Sequence, residues 1–170
     1  RDRDGGRRRG DEGDRSAKRQ AAEAQVKVAA YMAGRRVEFH GHFPDSERLD
    51  DGWDINHPDY GEANYDTLGG LVDIMERFPD TALEVHGKTG NFGGGDYTRN
   101  KYLINLARHF QMDIRTEAKL VAEELARLRA NAAKQALVDL GLAESRIQLK
   151  WTGLATAAEV IFTPKPLLGD

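Results

Sequence analysis

No cysteine occurs anywhere in the 170 residues. That absence excludes disulfides, thiolate zinc sites and a cysteine nucleophile, and it leaves the redox compartment open. No stretch approaches the roughly 18–20 consecutive apolar residues that span a bilayer. A marked excess of one charge is also missing. The net charge of −3 does not indicate a general nucleic-acid or membrane-surface role. The glycine-rich GNFGGGD at 90–96 lacks GxxxxGK[ST] and matches a phosphate-cradling loop only in glycine content. No Ser/His/Asp arrangement has a recognisable local context. Glu123 and Glu124 are neighbours on an expected helix, so they point about 100° apart and cannot work as a catalytic pair. The expectation is a non-catalytic protein without a cofactor.

Large apolar side chains are missing from residues 1–19, RDRDGGRRRGDEGDRSAKR, which hold eight Arg or Lys and five Asp or Glu. Such a segment cannot bury enough surface to offset its ordering entropy, so it is expected to be a disordered charged tail. The chain opens on Arg rather than Met, which points to a processed or trimmed product. Hydrophobic residues make up 39% of the whole, enough for a core of about 100–130 residues.

An alanine-rich helix and linker are expected over 20–35, broken at Gly34. RRVEFHGHF (35–43) alternates Val37 and Phe39 and suits a strand. Residues 44–62 are rich in Pro, Gly, Asp and Asn and read as a long loop. Asn64 or Asp66 is expected to cap a helix bearing Leu68, Leu71, Val72, Met75 and Phe78, which Pro79 stops. Leu83, Val85 and Gly87 alternate as a buried strand. A helix at about 98–111 follows the glycine loop. Thr116 is expected to cap a long helix to Leu140, with Leu120, Val121, Leu125, Leu128, Ala132, Ala136, Leu137 and Leu140 inward and Gly141 as the cap. Strands at about 146–151 and 157–163 close the domain, ended by Pro164 and Pro166, with a short tail over 164–170.

The succession RRVEFH, LGGLVDIMERFPD, LEVHGKTG, LARLRANA, DLGL and SRI resembles the OmpA-like domain family over roughly 36–163. That family is the peptidoglycan-associated module of bacterial envelope proteins. The resemblance implies an α/β (α+β) sandwich of βαβαβ type, a mixed sheet with helices on one face, here with an inserted helix at about 91–115. In the family, a carboxylate and a guanidinium grip the charged end of diaminopimelate in the peptidoglycan stem peptide. Arg129 falls on the family's arginine. Gly90 falls on its aspartate, because GKTG stands where GHTD is expected, and Thr89 precedes it. Ala122 replaces a supporting asparagine, and TAAEV replaces an arginine-bearing strand start. Gly90 and Arg129 are 39 positions apart (129 − 90), wider than the family spacing, and Asp96 or Asp113 is a candidate substitute acid.

A divergent member with a degraded ligand site is therefore the expectation. Its role would be that of a structural or assembly subunit whose cell-wall binding is lost. The alternative is a peptidoglycan-binding module that tethers an envelope protein to the wall. Trp53, Tyr60, Phe92, Tyr97, Tyr102 and Phe110 are the candidate interface anchors, since aromatics dominate hot spots. The helix at 98–111 carries more apolar groups than one packing face needs, which suggests a second contact. The expected partners are other protein subunits and the stem peptide, not nucleic acid. A membrane-associated assembly, in an organelle or at the bacterial periplasm and outer-membrane face, fits. His40 and His42 flank Gly41 near Asp45, a spacing that can chelate a metal, but two loop histidines are common by chance and no metal is assigned. His86, on the expected strand, reads as half-exposed.

Overall fold

The computed structural model describes residues 2–40 and 48–167, with the backbone alone for residues 2–11. The elements follow the order α1 (Asp2–Met32), α2 (Gly61–Glu76), β1 (Thr81–Lys88), α3 (Lys101–His109), α4 (Ile114–Asp139), β2 (Ile147–Thr152) and β3 (Glu159–Pro166). The strands form one mixed sheet in the order β2-β1-β3. β1 runs parallel to β2, with Val85 opposite Leu149, and antiparallel to β3, with Val85 opposite Phe162. This is a mixed α+β fold with its helices on one face of the sheet.

Alternation along β1 decides which face is covered. Leu83, Val85 and Gly87 are buried, whereas Glu84, His86 and Lys88 are half-buried on the opposite side. Leu83 and Val85 join Leu68, Leu71, Met75, Leu137 and Phe162 in the main core. Each fully buried side chain of this size contributes roughly 1.5–3 kcal/mol. A second apolar cluster lies on the other side of α4. There Tyr102, Leu103 and Leu106 of α3 meet Val121 and Leu125.

α4 approaches the sheet through small residues. Ala122, Ala126, Ala130 and Ala133 are all fully buried. Its end follows local chemistry. Gly141 takes φ +108, its N–H bonds to Val138 O, and the Leu142 N–H bonds to Leu137 O. That pair is a Schellman closure, sealed by the buried Leu137 and Leu142.

Several expectations change. The charged segment 1–19 is not a disordered tail in its described part, because α1 runs unbroken from Asp2 to Met32. Ala17, Ala21, Ala24 and Val28 are buried and anchor the helix, which continues through Gly5, Gly6, Gly10 and Gly13 although each glycine costs about 1 kcal/mol relative to alanine. Gln20 ties α1 to the turn before β1, exchanging bonds of 3.0 Å each way with Asp80. Residues 35–40 are not a strand, and the sheet has no fourth member among the described residues. Phe43 lies outside them.

The side chain of Asn64 holds this segment instead. Its Oδ1 accepts the Glu38 N–H at 2.9 Å, and its Nδ2 donates to Glu38 O at 2.9 Å and to Ile55 O at 3.0 Å. Asn64 is thus a buried clamp in α2, not its cap, and Asp66 is not the cap either. Tyr60 occupies that position without a side-chain bond. Asp113, not Thr116, caps α4 by accepting from the Arg115 N–H. Leu120, expected inward, is exposed. β3 continues through Pro164 and Pro166, so no separate tail begins at 164. Proline is tolerated there because β3 is an edge strand of the sheet.

Arg146 locks α2 to β1. Its Nη2 donates to Met75 O and Phe78 O at 2.9 Å each, and its Nε donates to Thr81 O at 2.8 Å. A cation here also complements the negative end of α2. Burial lowers its pKa, opposed by Glu76 and Asp80. Arg146→Ala removes the donor of three carbonyls at once. We expect a loss of about 1.5–3 kcal/mol in urea unfolding, the range of a charged hydrogen-bond set that water partly replaces. An unchanged midpoint would show that this guanidinium is incidental.

Candidate functional site

The chain between β1 and α3 must turn sharply. Phe92, Gly93, Gly94 and Gly95 all take positive φ, between 52° and 83°. Three consecutive left-handed glycines explain the GGG run better than any phosphate contact does. The loop then re-enters helix twice through aspartate or asparagine caps. Asp96 accepts from the Thr98 N–H, and Asn100 accepts from the Leu103 N–H at 3.0 Å. This brings Phe92, Gly93, Asn100 and Tyr102 over the end of β1 and the middle of α4.

They close a cavity of about 500 Å³, also lined by Val37, Glu38, Phe39, Tyr60, Lys88, Gly90, Arg129 and Glu159. Arg129 is 7% exposed. Its Nε donates to Gly52 O at 2.7 Å, and its guanidinium carbon lies 5.6 Å from the Phe39 ring centre. Among the described residues, no carboxylate lies within ion-pair distance of it. Burial pushes its pKa down to about 10, partly countered by Tyr102. Arg129 therefore still carries its charge at neutral pH. Burial pushes the Tyr102 hydroxyl up to about 12, so it stays protonated, and it donates to Leu49 O at 3.1 Å. The cavity thus presents a desolvated cation on its wall. Near its mouth stand two ion pairs, Lys88–Glu159 at 3.8 Å and Arg36–Glu38 at 3.5 Å.

Of the three residues expected at the ligand site, Arg129 and Gly90 line this cavity and Thr89 does not. Thr89 is fully buried, and its Oγ1 accepts the Leu154 N–H at 2.9 Å, which fixes the β2–β3 turn. Neither candidate substitute acid lines the cavity. Asp96 and Asp113 are exposed helix caps, each with a lowered pKa. The causes are hydrogen bonds from Thr98 to Asp96 and, first of all, from the Arg115 N–H to Asp113.

The aromatic anchors also divide. Tyr102 is buried in its own domain, on the cavity wall. Trp53, Phe92, Tyr97 and Phe110 are partly buried and pack against the second core cluster, with Trp53 and Phe110 rings 6.4 Å apart. The apolar surplus on α3 is thereby largely spent within the chain. Tyr60 lines the cavity and stands beside His57, at 5.9 Å between ring centres. His86 is half-buried on the sheet's other face, with Nε2 at 2.8 Å from Thr152 Oγ1. Its pKa is lowered by burial and by Lys88 and Lys150. His42 and Asp45 lie outside the described residues.

Sequence reading missed Glu38, Phe39, Lys88, Asn100 and Glu159 as cavity residues. The alternation of Lys88 with Gly90 at the end of β1 was the one available signal. No local pattern announces that residues 36–39 fold back over α4.

No family model matches this chain, and no curated protein matches it. Among solved structures it is similar to the OmpA-like domain of FopA1 from Francisella tularensis subsp. tularensis SCHU S4. The identity is 13% and the TM-score 0.44, with 63% of this chain and 64% of that chain covered. The chain therefore matches under two-thirds of the length of that neighbour. Among the described residues, no helix is long and apolar enough to cross a membrane.

Proposed function

We propose that this chain is a non-catalytic binding module whose cavity receives a carboxylate-bearing ligand on Arg129. One observation carries the reading: a guanidinium 7% exposed, on a cavity wall, with a backbone carbonyl as its hydrogen-bond acceptor. Burying a charge without a counterion is costly, and a ligand carboxylate offsets that cost when it docks. Glu159, already on the cavity and paired only across 3.8 Å with Lys88, supplies the anion for a ligand ammonium. A zwitterionic amino-acid end satisfies both groups. The sequence resemblance makes the peptidoglycan stem peptide the first ligand to test.

Sedimentation with purified sacculi and titration with diaminopimelate are the measurements. Wild type is expected to bind, and Arg129→Lys to bind at least about tenfold more weakly, because an ammonium cannot form the forked contact. Gly90→Asp is expected to tighten binding. A side chain at Gly90 meets only Ala158, at 3.6 and 3.7 Å, so the substitution fits.

A second reading rests on Gly90 itself. With no carboxylate at the end of β1, the chain is an assembly subunit that kept the fold and lost the wall ligand, with other protein subunits as partners. No retention of wild type on sacculi, together with no response to diaminopimelate, favours it.

A further inference from the structure

We infer that His40, His57 and Asp59 form a binding site for a borderline transition-metal ion such as Zn²⁺ or Ni²⁺, on the rim beside Tyr60. The donor atoms of these three residues all lie within 4.8 Å of one another. Asp59 Oδ2 stands 3.7 Å from His40 Nδ1 and 3.8 Å from His57 Nδ1. Donors on one tetrahedral ion at about 2.0–2.1 Å are roughly 3.4 Å apart, so the carboxylate is within a few tenths of an ångström of that spacing from each ring, and a turn of one imidazole has to bring the two ring nitrogens to it. Two imidazoles and one carboxylate select zinc or nickel over magnesium or calcium, and water fills the open positions.

The site is built from two separate segments, and one buried side chain joins them. Asn64 bonds Glu38, two residues before His40, and Ile55, two residues before His57. The two histidines are thereby held in register before any ion arrives. A buried carboxylate also stands behind His57. Its Nδ1 accepts the Asp59 N–H at 3.1 Å, which places the proton on Nε2, 4.0 Å from the buried carboxylate of Asp51. A ligating histidine whose other nitrogen faces a carboxylate is the recurrent support of metal sites. The rings lie parallel, 3° between planes and 4.7 Å between centres. An entering ion therefore turns one imidazole about its Cβ–Cγ bond and displaces the Asp59 N–H from Nδ1.

The test titrates the chain with ZnCl₂, with MgCl₂ in parallel. It follows the melting temperature and the Asp59 amide resonance. Zinc is expected to raise the melting temperature by several degrees and to shift that amide, and magnesium to do neither. Asp59→Asn and His40→Gln change half-exposed or exposed side chains, and their melting temperatures without metal report whether they fold. Each is expected to weaken zinc binding at least about tenfold. Zinc binding of equal strength in wild type and both variants would place the ion on other histidines and overturn the assignment. So would the absence of any zinc response.

Discussion

Gly87→Val is expected to unfold the domain or to remove at least about 3 kcal/mol of stability in urea denaturation. A Cβ at this position would sit 2.3 Å from Ala126 O and 2.9 Å from Ala130 N. Both are backbone atoms of α4, so neither can swing aside. The helix would have to lift from the central strand, opening the layer in which Ala126, Ala130 and Ala133 are fully buried. Valine is a better strand former than glycine, so local preference favours the substitution. An overlap of about an ångström with Ala126 O, with smaller ones against Ala130, outweighs a propensity of at most about 1 kcal/mol. Gly90→Ala is the control. It meets nothing closer than 3.6 Å and should stay within about 0.5 kcal/mol of wild type. If both variants unfold at the wild-type midpoint, the close contact between α4 and β1 is not what the backbone geometry requires.

The second large effect is expected at Asn64. It is 1% exposed and satisfies one N–H and two carbonyls from two chain segments. Asn64→Ala strands these groups where little water reaches them. Each unsatisfied group costs about 1–3 kcal/mol, and partial relaxation leaves an expected loss of roughly 3–4 kcal/mol. Asn64→Asp should be no better. It keeps the acceptor for the Glu38 N–H but turns the donor into an anion facing two carbonyl oxygens. Amide exchange separates this local role from general destabilisation. The Glu38 amide should lose protection under native conditions while the β1 amides keep theirs. Protection at Glu38 that survives Asn64→Ala would mean that the segment 35–40 is held by something else.

That segment shows what a local pattern does and does not say. Val37 is buried and Phe39 partly so, as their alternation requires. Alternation reports an extended chain with one covered side. It does not report whether a neighbouring strand completes the hydrogen bonds. Here the partner is a single amide from α2, and nothing near Asn64 in the chain distinguishes a clamp from a helix cap.

Arg129 poses the same problem. Its position on α4 was legible. Its burial was not, because the covering residues come from Gly52, Phe39 and Tyr102, far away in sequence. The helix stripe expected from large residues placed Leu120 inward, whereas the buried face is mainly alanine. A helix wedged between a sheet and a second apolar cluster buries whatever is small enough to allow close approach, and hydrophobicity alone does not reveal that face.

The sequence by itself determined the features that short-range physics controls. These are the α2 stripe stopped at Pro79, the alternation of β1, the Gly141 closure of α4, and the glycine loop at 93–95. Each depends on a backbone conformation or periodicity that a few neighbouring residues set. Only the tertiary structure decided the three-stranded pairing, the helical state of the charged N-terminal segment, the burial of Arg129 and the meeting of His40 with His57. Those depend on which distant groups arrive to satisfy a hydrogen bond, cover an apolar side or withdraw a charge from water.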